Sequence, residues 1–218
     1  MNNTQSYIYQ IFSRETVAIR RTSVCDDIQS ENIFTDIKYI KKEIPFGNGF
    51  FVSDYFITAA HVIAESTAPY INVNNQKIPL EQTNAIVWHI MPTELTEEEY
   101  ASIDIADLAI FHFPDIGSPL HLSEKLPEPS TTLFCNYHYH YIFCESQCVV
   151  GDKDYFLGNF FGCRMTPIHP TEGGSSGSPL LKDNIVYGIL HAGNKKDTSI
   201  CVFYSAAHAL HLLRQHTG

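Results

Sequence analysis

Little in these 218 residues is basic, and nothing is both long and apolar. Lys and Arg number 14 against 24 Asp and Glu, a formal charge of -10. The basic residues gather only in pairs, Arg20-Arg21, Lys41-Lys42 and Lys195-Lys196. A surface of that sign repels phosphate backbones and anionic headgroups, so neither nucleic acid nor an acidic membrane is an expected partner. No run approaches the roughly 20 apolar residues that cross a bilayer. The opening stretch 1–20 lacks the charged start and apolar block of a leader, which makes a cytoplasmic chain the expectation. Repeats of 20 to 50 residues are missing too, which excludes solenoids and arrays. Cysteine is scarcer than in a disulfide scaffold. The six, Cys25, Cys135, Cys144, Cys148, Cys163 and Cys201, read as thiols, because stable disulfides need an oxidising compartment.

What remains is a globular composition, 44% hydrophobic, cut into short runs rich in β-branched and aromatic residues and bounded by Gly, Pro, Asn or Asp. That is the strand signal of an all-β protein. Candidate strands cover 16–22, 34–44, 49–52, 55–58, 85–90 and 108–113, then 133–143, 148–150, 159–165, 179–181, 185–190 and 200–204. The proline-rich stretch 114–130 separates the two sets of six. Two halves follow, 1–122 and 123–218. Helix is expected only at 96–101 and at 205–216, where Ala206, Leu210 and Leu213 share one stripe.

Three short motifs carry chemistry. In Gly173-Gly174-Ser175-Ser176-Gly177-Ser178-Pro179-Leu180 the glycines permit a tight turn that presents a serine. A serine hydroxyl is a weak nucleophile that needs a base within reach and backbone amides to receive an oxyanion; Gly174 and Ser176 are the candidate amides. In Thr58-Ala59-Ala60-His61 a strand ends in small residues and then offers an imidazole, able to take and return a proton near neutral pH. In Asp107-Leu108-Ala109-Ile110 an acid directly precedes an apolar strand, where it can hold a histidine tautomer. Asp104 competes for that role, but only Asp107 leads into an uninterrupted apolar run.

TAAH, DLAI and GSSGSP, in the order His, Asp, Ser, resemble the chymotrypsin-like serine peptidases. The resemblance spans position 47 to the C-terminal helix. It implies a chymotrypsin-like double β-barrel and a trypsin-like serine endopeptidase acting on protein or peptide substrates through His61, Asp107 and Ser176, with no cofactor. Within that class GGSSGSP is similar to bacterial glutamyl endopeptidases, and the preceding 169–172, HPTE, to picornavirus main proteases. Trypsins are activated when a new N-terminal amine meets an aspartate just before the nucleophile. That position here is Ser175, so the chain is expected to be active as made unless a partner must order its loops.

The resemblance also implies a substrate pocket that reads Glu or Gln through a threonine, here Thr171, and the histidine of a GxH segment. This chain has Gly188-Ile189-Leu190-His191-Ala192-Gly193-Asn194, one residue longer. If Gly188 sets the register, Leu190 lines the pocket and His191 lies nearer the catalytic groups. If HAGN sets it, His191 reads the substrate, with Ala192 and Gly193 offering a strand edge to its backbone, and this second register is preferred. The rival to the peptidase is a protease-shaped binding module with a gated site. A third reading builds zinc from Cys135, His138, His140, Cys144 and Cys148. Alternation through Leu133, Cys135, Tyr137, Tyr139, Tyr141 and Phe143 argues instead for a half-buried strand, so no metal is expected.

Overall fold

Alternating apolar residues in the computed structural model assemble two sheets that share a core. It describes residues 7–22, 35–92, 99, 105–139, 141–166, 174–193, 197 and 199–218, with backbone only over 16–22 and 35–40. The first sheet begins with β1 (Ile8–Thr22) and β2 (Thr35–Val52), a long antiparallel pair with a register shift at Ile11/Phe12. It continues through β3 (Tyr55–Thr58), β4 (Tyr70–Val73), β5 (Gln76–Pro79), β6 (Ala85–His89) and β7 (Leu108–His112). The spatial order is β5-β4-β1-β2-β3-β7-β6.

The second sheet comprises β8 (His121–Leu122), β9 (Thr132–Tyr139), β10 (Ile142–Val150), β11 (Phe156–Leu157), β12 (Phe160–Thr166), β13 (Pro179–Lys182), β14 (Ile185–Gly193) and β15 (Ile200–Ser205). Its order is β10-β9-β13-β14-β15-β12-β11, and β10 also pairs with β12, which closes six strands into a barrel. The α-helices that lie fully among the described residues are α1 (Ala60–Ala64) after β3 and α2 (Ala206–Thr217) at the C-terminus. Ser205 caps α2, its side chain accepting from the His208 amide.

The all-β architecture with a C-terminal helix is as the sequence implies, with differences that have physical causes. The candidates 34–44 and 49–52 are one strand, because Gly47 and Gly49 stay extended in the ladder with β1 instead of breaking it. The candidate 133–143 crosses a hairpin turn at Tyr141, whose φ of 70° reverses the chain, and Tyr141 is exposed instead of continuing the buried face. Strands β4 and β5 escaped notice because Asn, Gln and Lys dilute their apolar alternation. The helix expected at 96–101 lies outside the described residues apart from Glu99.

Three apolar clusters hold the sheets. One fills the first sheet around Phe51, Phe56 and Phe111. One fills the second barrel around Tyr137, Phe161 and Phe203, with Cys135, Cys148, Cys163 and Cys201 buried among them. The third lies between the sheets and under α2, joining Phe50, Ile57 and Leu108 to Ile189, Tyr204 and Leu213. The zinc-type set therefore divides: Cys135 and Cys148 face the barrel core, whereas the His138 ring bonds the Ile8 carbonyl at 3.2 Å. His140 lies outside the described residues.

Candidate active site

Strand β3 ends at Thr58 and is followed by Ala59 and Ala60, all three buried, and the small side chains let α1 start directly against the sheet. That helix has no side-chain cap of its own. The cap comes from Asp107, 46 residues away, whose Oδ1 accepts the His61 amide at 2.9 Å. Its Oδ2 lies 2.6 Å from His61 Nδ1. Asp107 precedes β7, next to β3 in the sheet, and is buried, whereas His61 is partly exposed. One carboxylate thus fixes both the backbone and the ring of His61. Since an ionised carboxylate only accepts, Nδ1 carries the proton and Nε2 keeps its lone pair.

Burial pushes the Asp107 carboxyl upward, but hydrogen bonds from His191 and His61 overturn this and hold it far below the usual carboxylate range. Burial pushes the His61 imidazole downward, yet its bond to Asp107, that carboxylate's charge and the charge of Glu65 raise it above its ordinary value.

Ser176 follows Gly174, with φ +100°, and precedes Gly177, with φ +84°. At Gly177 any side chain is excluded: a Cβ would lie 2.0 Å from the Asn48 carbonyl oxygen and 2.4 Å from Thr58 Oγ1. The loop is held from both sides. The Asn48 amide donates to the Ser176 carbonyl at 2.8 Å, the Gly177 amide to the Leu190 carbonyl at 2.7 Å, and the Leu190 amide to the Ser178 carbonyl at 2.8 Å. The Ser176 hydroxyl donates to the His191 carbonyl at 3.3 Å. Among the described residues no acceptor takes the amides of Gly174 or Ser176.

His61, Asp107 and Ser176 thus lie around His191. Thr171 and Asn194 lie outside the described residues. The preferred register for His191 is corrected. Its ring is buried, its Nδ1 lies 2.6 Å from Asp107 Oδ2 and it stands edge-on to the His61 ring, the placement the other register implies, nearer the catalytic groups. The pairing of β14 with β15 shows why: Leu190 faces Phe203 and Ala192 faces Val202, so His191 is the extra residue of a bulge. Ala192 and Gly193 are half-buried at the end of β14.

No family model and no curated protein matches this sequence. Solved structures do. A protease of M. tuberculosis, Rv3671c in its active form, is 17% identical with a TM-score of 0.62, covering 99% of this chain and 83% of that one. The HtrA-type protease AlgW with a decapeptide is 14% identical with a TM-score of 0.64; 97% of this chain corresponds to 64% of AlgW. The fold is that of the chymotrypsin-like serine proteases. That fold does not by itself decide activity, since the scabies mite inactivated protease paralogue S-I1 also matches, at 14% identity and a TM-score of 0.61 over 97% of this chain and 94% of that one.

One residue that holds this candidate site together was not among those the sequence singled out. Asn48, buried on β2, donates from Nδ2 to the Gly174 carbonyl at 2.7 Å and the His138 carbonyl at 3.0 Å, and its Oδ1 accepts the His138 amide at 2.9 Å. It ties the first sheet to both the serine loop and β9. A polar residue between glycines, Gly47-Asn48-Gly49, in the otherwise apolar end 44–52 of the strand was the available signal.

Proposed function

We propose that the chain is a serine endopeptidase. The observation that carries this reading is the double grip of buried Asp107 on His61, which leaves Nε2 as the basic nitrogen, with the Gly174 and Ser176 amides taken by no acceptor among the described residues. The hydroxyl of Ser176 turns from the His191 carbonyl, gives its proton to His61 Nε2 and attacks the substrate carbonyl. The oxyanion rests on the amides of Gly174 and Ser176. His61 returns the proton to the leaving amine, and water releases the acyl group by the same route. Ser176→Ala abolishes turnover and fluorophosphonate labelling without lowering the melting temperature; persistent hydrolysis in that variant refutes the assignment.

For the substrate we propose cleavage after Glu or Gln, as the HPTE and GGSSGSP resemblances imply. With His191 turned to Asp107, the donors for that side chain fall to the stretch 167–173, Thr171 among them. A peptide library returning aromatic or aliphatic residues before the cleaved bond replaces this preference. Activation that depends on a partner is part of the proposal, as is a cytoplasmic setting; fractionation of cells expressing the native protein tests the latter. The second reading, a protease-shaped binding module, draws on one observation: the Ser176 hydroxyl bonds the His191 carbonyl. Labelling of the isolated chain separates the two, because a module with a closed site does not react.

A further inference from the structure

We infer that His191 is a positioning residue for the reacting groups: its imidazole anchors the acid and its carbonyl parks the nucleophile, so four residues act as one unit. The inference rests on the peptidase reading above and deepens it. Three donors converge on Asp107. Its Oδ1 takes the His61 amide at 2.9 Å, and its Oδ2 takes the Nδ1–H of His61 and of His191, each at 2.6 Å. The two rings stand perpendicular, 88° apart with centroids at 5.5 Å, and Phe160 packs against His191 at 5.2 Å.

The bulge makes this arrangement possible. Leu190 belongs to the barrel core, and a regular strand would alternate sides from there and keep every residue in the ladder. The shift between Leu190 and Ala192 frees His191 from pairing, so its ring reaches Asp107 while its carbonyl faces the Ser176 hydroxyl. The same three side chains could suggest a cation site, as their ligand atoms lie within 4.8 Å of one another. Both nitrogens, however, already sit at hydrogen-bond distance from the oxygen, so protons and not an ion join them.

Sharing Oδ2 has a chemical consequence. The negative charge that stabilises the His61 imidazolium is divided between two donors, so His191 keeps the base from becoming too strongly protonated. Among the described residues the other groups bearing on this unit are Glu65, just past the end of the helix of His61, and Tyr204 on β15, near Asp107. Without His191 the whole charge faces His61, its imidazolium is favoured, and activity as a base is lost at a higher pH.

The test compares His191→Leu, which deletes the donor, with His191→Asn, whose amide N–H can replace Nδ1–H. In the Leu variant kcat drops about tenfold to a hundredfold while KM moves less than about threefold, the scale of one lost hydrogen bond to a charged group. The acid limb of kcat/KM against pH moves upward. Asn restores both toward the parent. An unchanged acid limb in the Leu variant, or equal losses in Leu and Asn, overturns the inference. A second measurement on the unsubstituted chain does not depend on how variants fold: with 15N-labelled histidine, two strongly deshielded imidazole protons are expected, each on an Nδ1. A single one overturns the shared acid, whether or not the chain hydrolyses peptides. Failure of fluorophosphonate labelling instead counts against the peptidase reading, so the two failures are distinguishable.

Discussion

The second barrel closes on itself through β10 and β12 and packs apolar rings and thiols inside, whereas at the seam facing the first sheet a few polar groups with defined partners sit beside the shared apolar cluster. In the closed barrel many contacts each contribute a little, and the loss of one is tolerated. At the seam Asn48, Asp107 and Gly177 each satisfy several constraints at once, so one substitution removes both order and chemistry. Stability is distributed in one region and concentrated in the other.

The sharpest way to break that contrast is Gly177→Ala. With the Asn48 carbonyl 2.0 Å from the added carbon, the serine loop cannot keep its place. A loss of more than about 4 kcal/mol in denaturant unfolding, or no recoverable folded chain, is expected. Gly174→Ala is the control: nothing lies within 4 Å of its Cβ, so only the backbone cost of φ +100°, about 1 kcal/mol, applies. Equal losses would mean that conformation, not the close approach, governs the loop.

Next in size is Asn48→Ala, which strands the His138 amide and the carbonyls of Gly174 and His138 in a buried site. Unfolding free energy should fall by about 3 kcal/mol, with activity falling further than stability alone explains. In the barrel core Cys163→Ala should cost only about 1 kcal/mol, as a small apolar truncation does. A larger cost there than at Asn48 would invert the comparison.

The thiols sharpen it by reactivity. Burial pushes Cys148 up to about 12 and Cys201 up to about 11, and both are enclosed. Of the five described cysteines only the partly exposed Cys144 should react with a thiol reagent in the native state. Prompt labelling of a second described cysteine would show that the barrel opens.

The smallest effect is on pH. His61 must be neutral to act, and its imidazole is raised, so the acid limb of kcat/KM should lie above the ordinary imidazole value of about 6.5. The linked stability has opposite signs at the two groups. The raised His61 contributes fully below about 6.5 and loses its contribution as pH climbs through its folded value. The depressed Asp107 contributes above about 3.9 and loses it only as pH falls through its own. Melting temperatures from pH 2 to pH 9 check both directions.

Much of this was legible from local pattern. Apolar runs placed most strands, and glycines around Ser176, small residues before His61 and the apolar run after Asp107 each marked a geometric need. The ring of His191 was not legible, because it depends on which strand accommodates an extra residue, and the ladder with β15 decides that. Asn48 was hidden for a related reason: its partners lie 90 and 126 positions away. Local sequence reports backbone needs well, but not which distant carbonyl a side chain will meet.

The cap on α1 bears on how the molecule assembles. Five residues are too few to hold a helical turn unaided, and the carboxylate that completes this one arrives only after β3 and β7 have paired. His61 can therefore acquire its working posture only late, once that long-range pairing exists. If the chain is the peptidase proposed above, a nascent or partly folded molecule would lack a competent base, and its own exposed peptide bonds would be spared until the structure that protects them is complete.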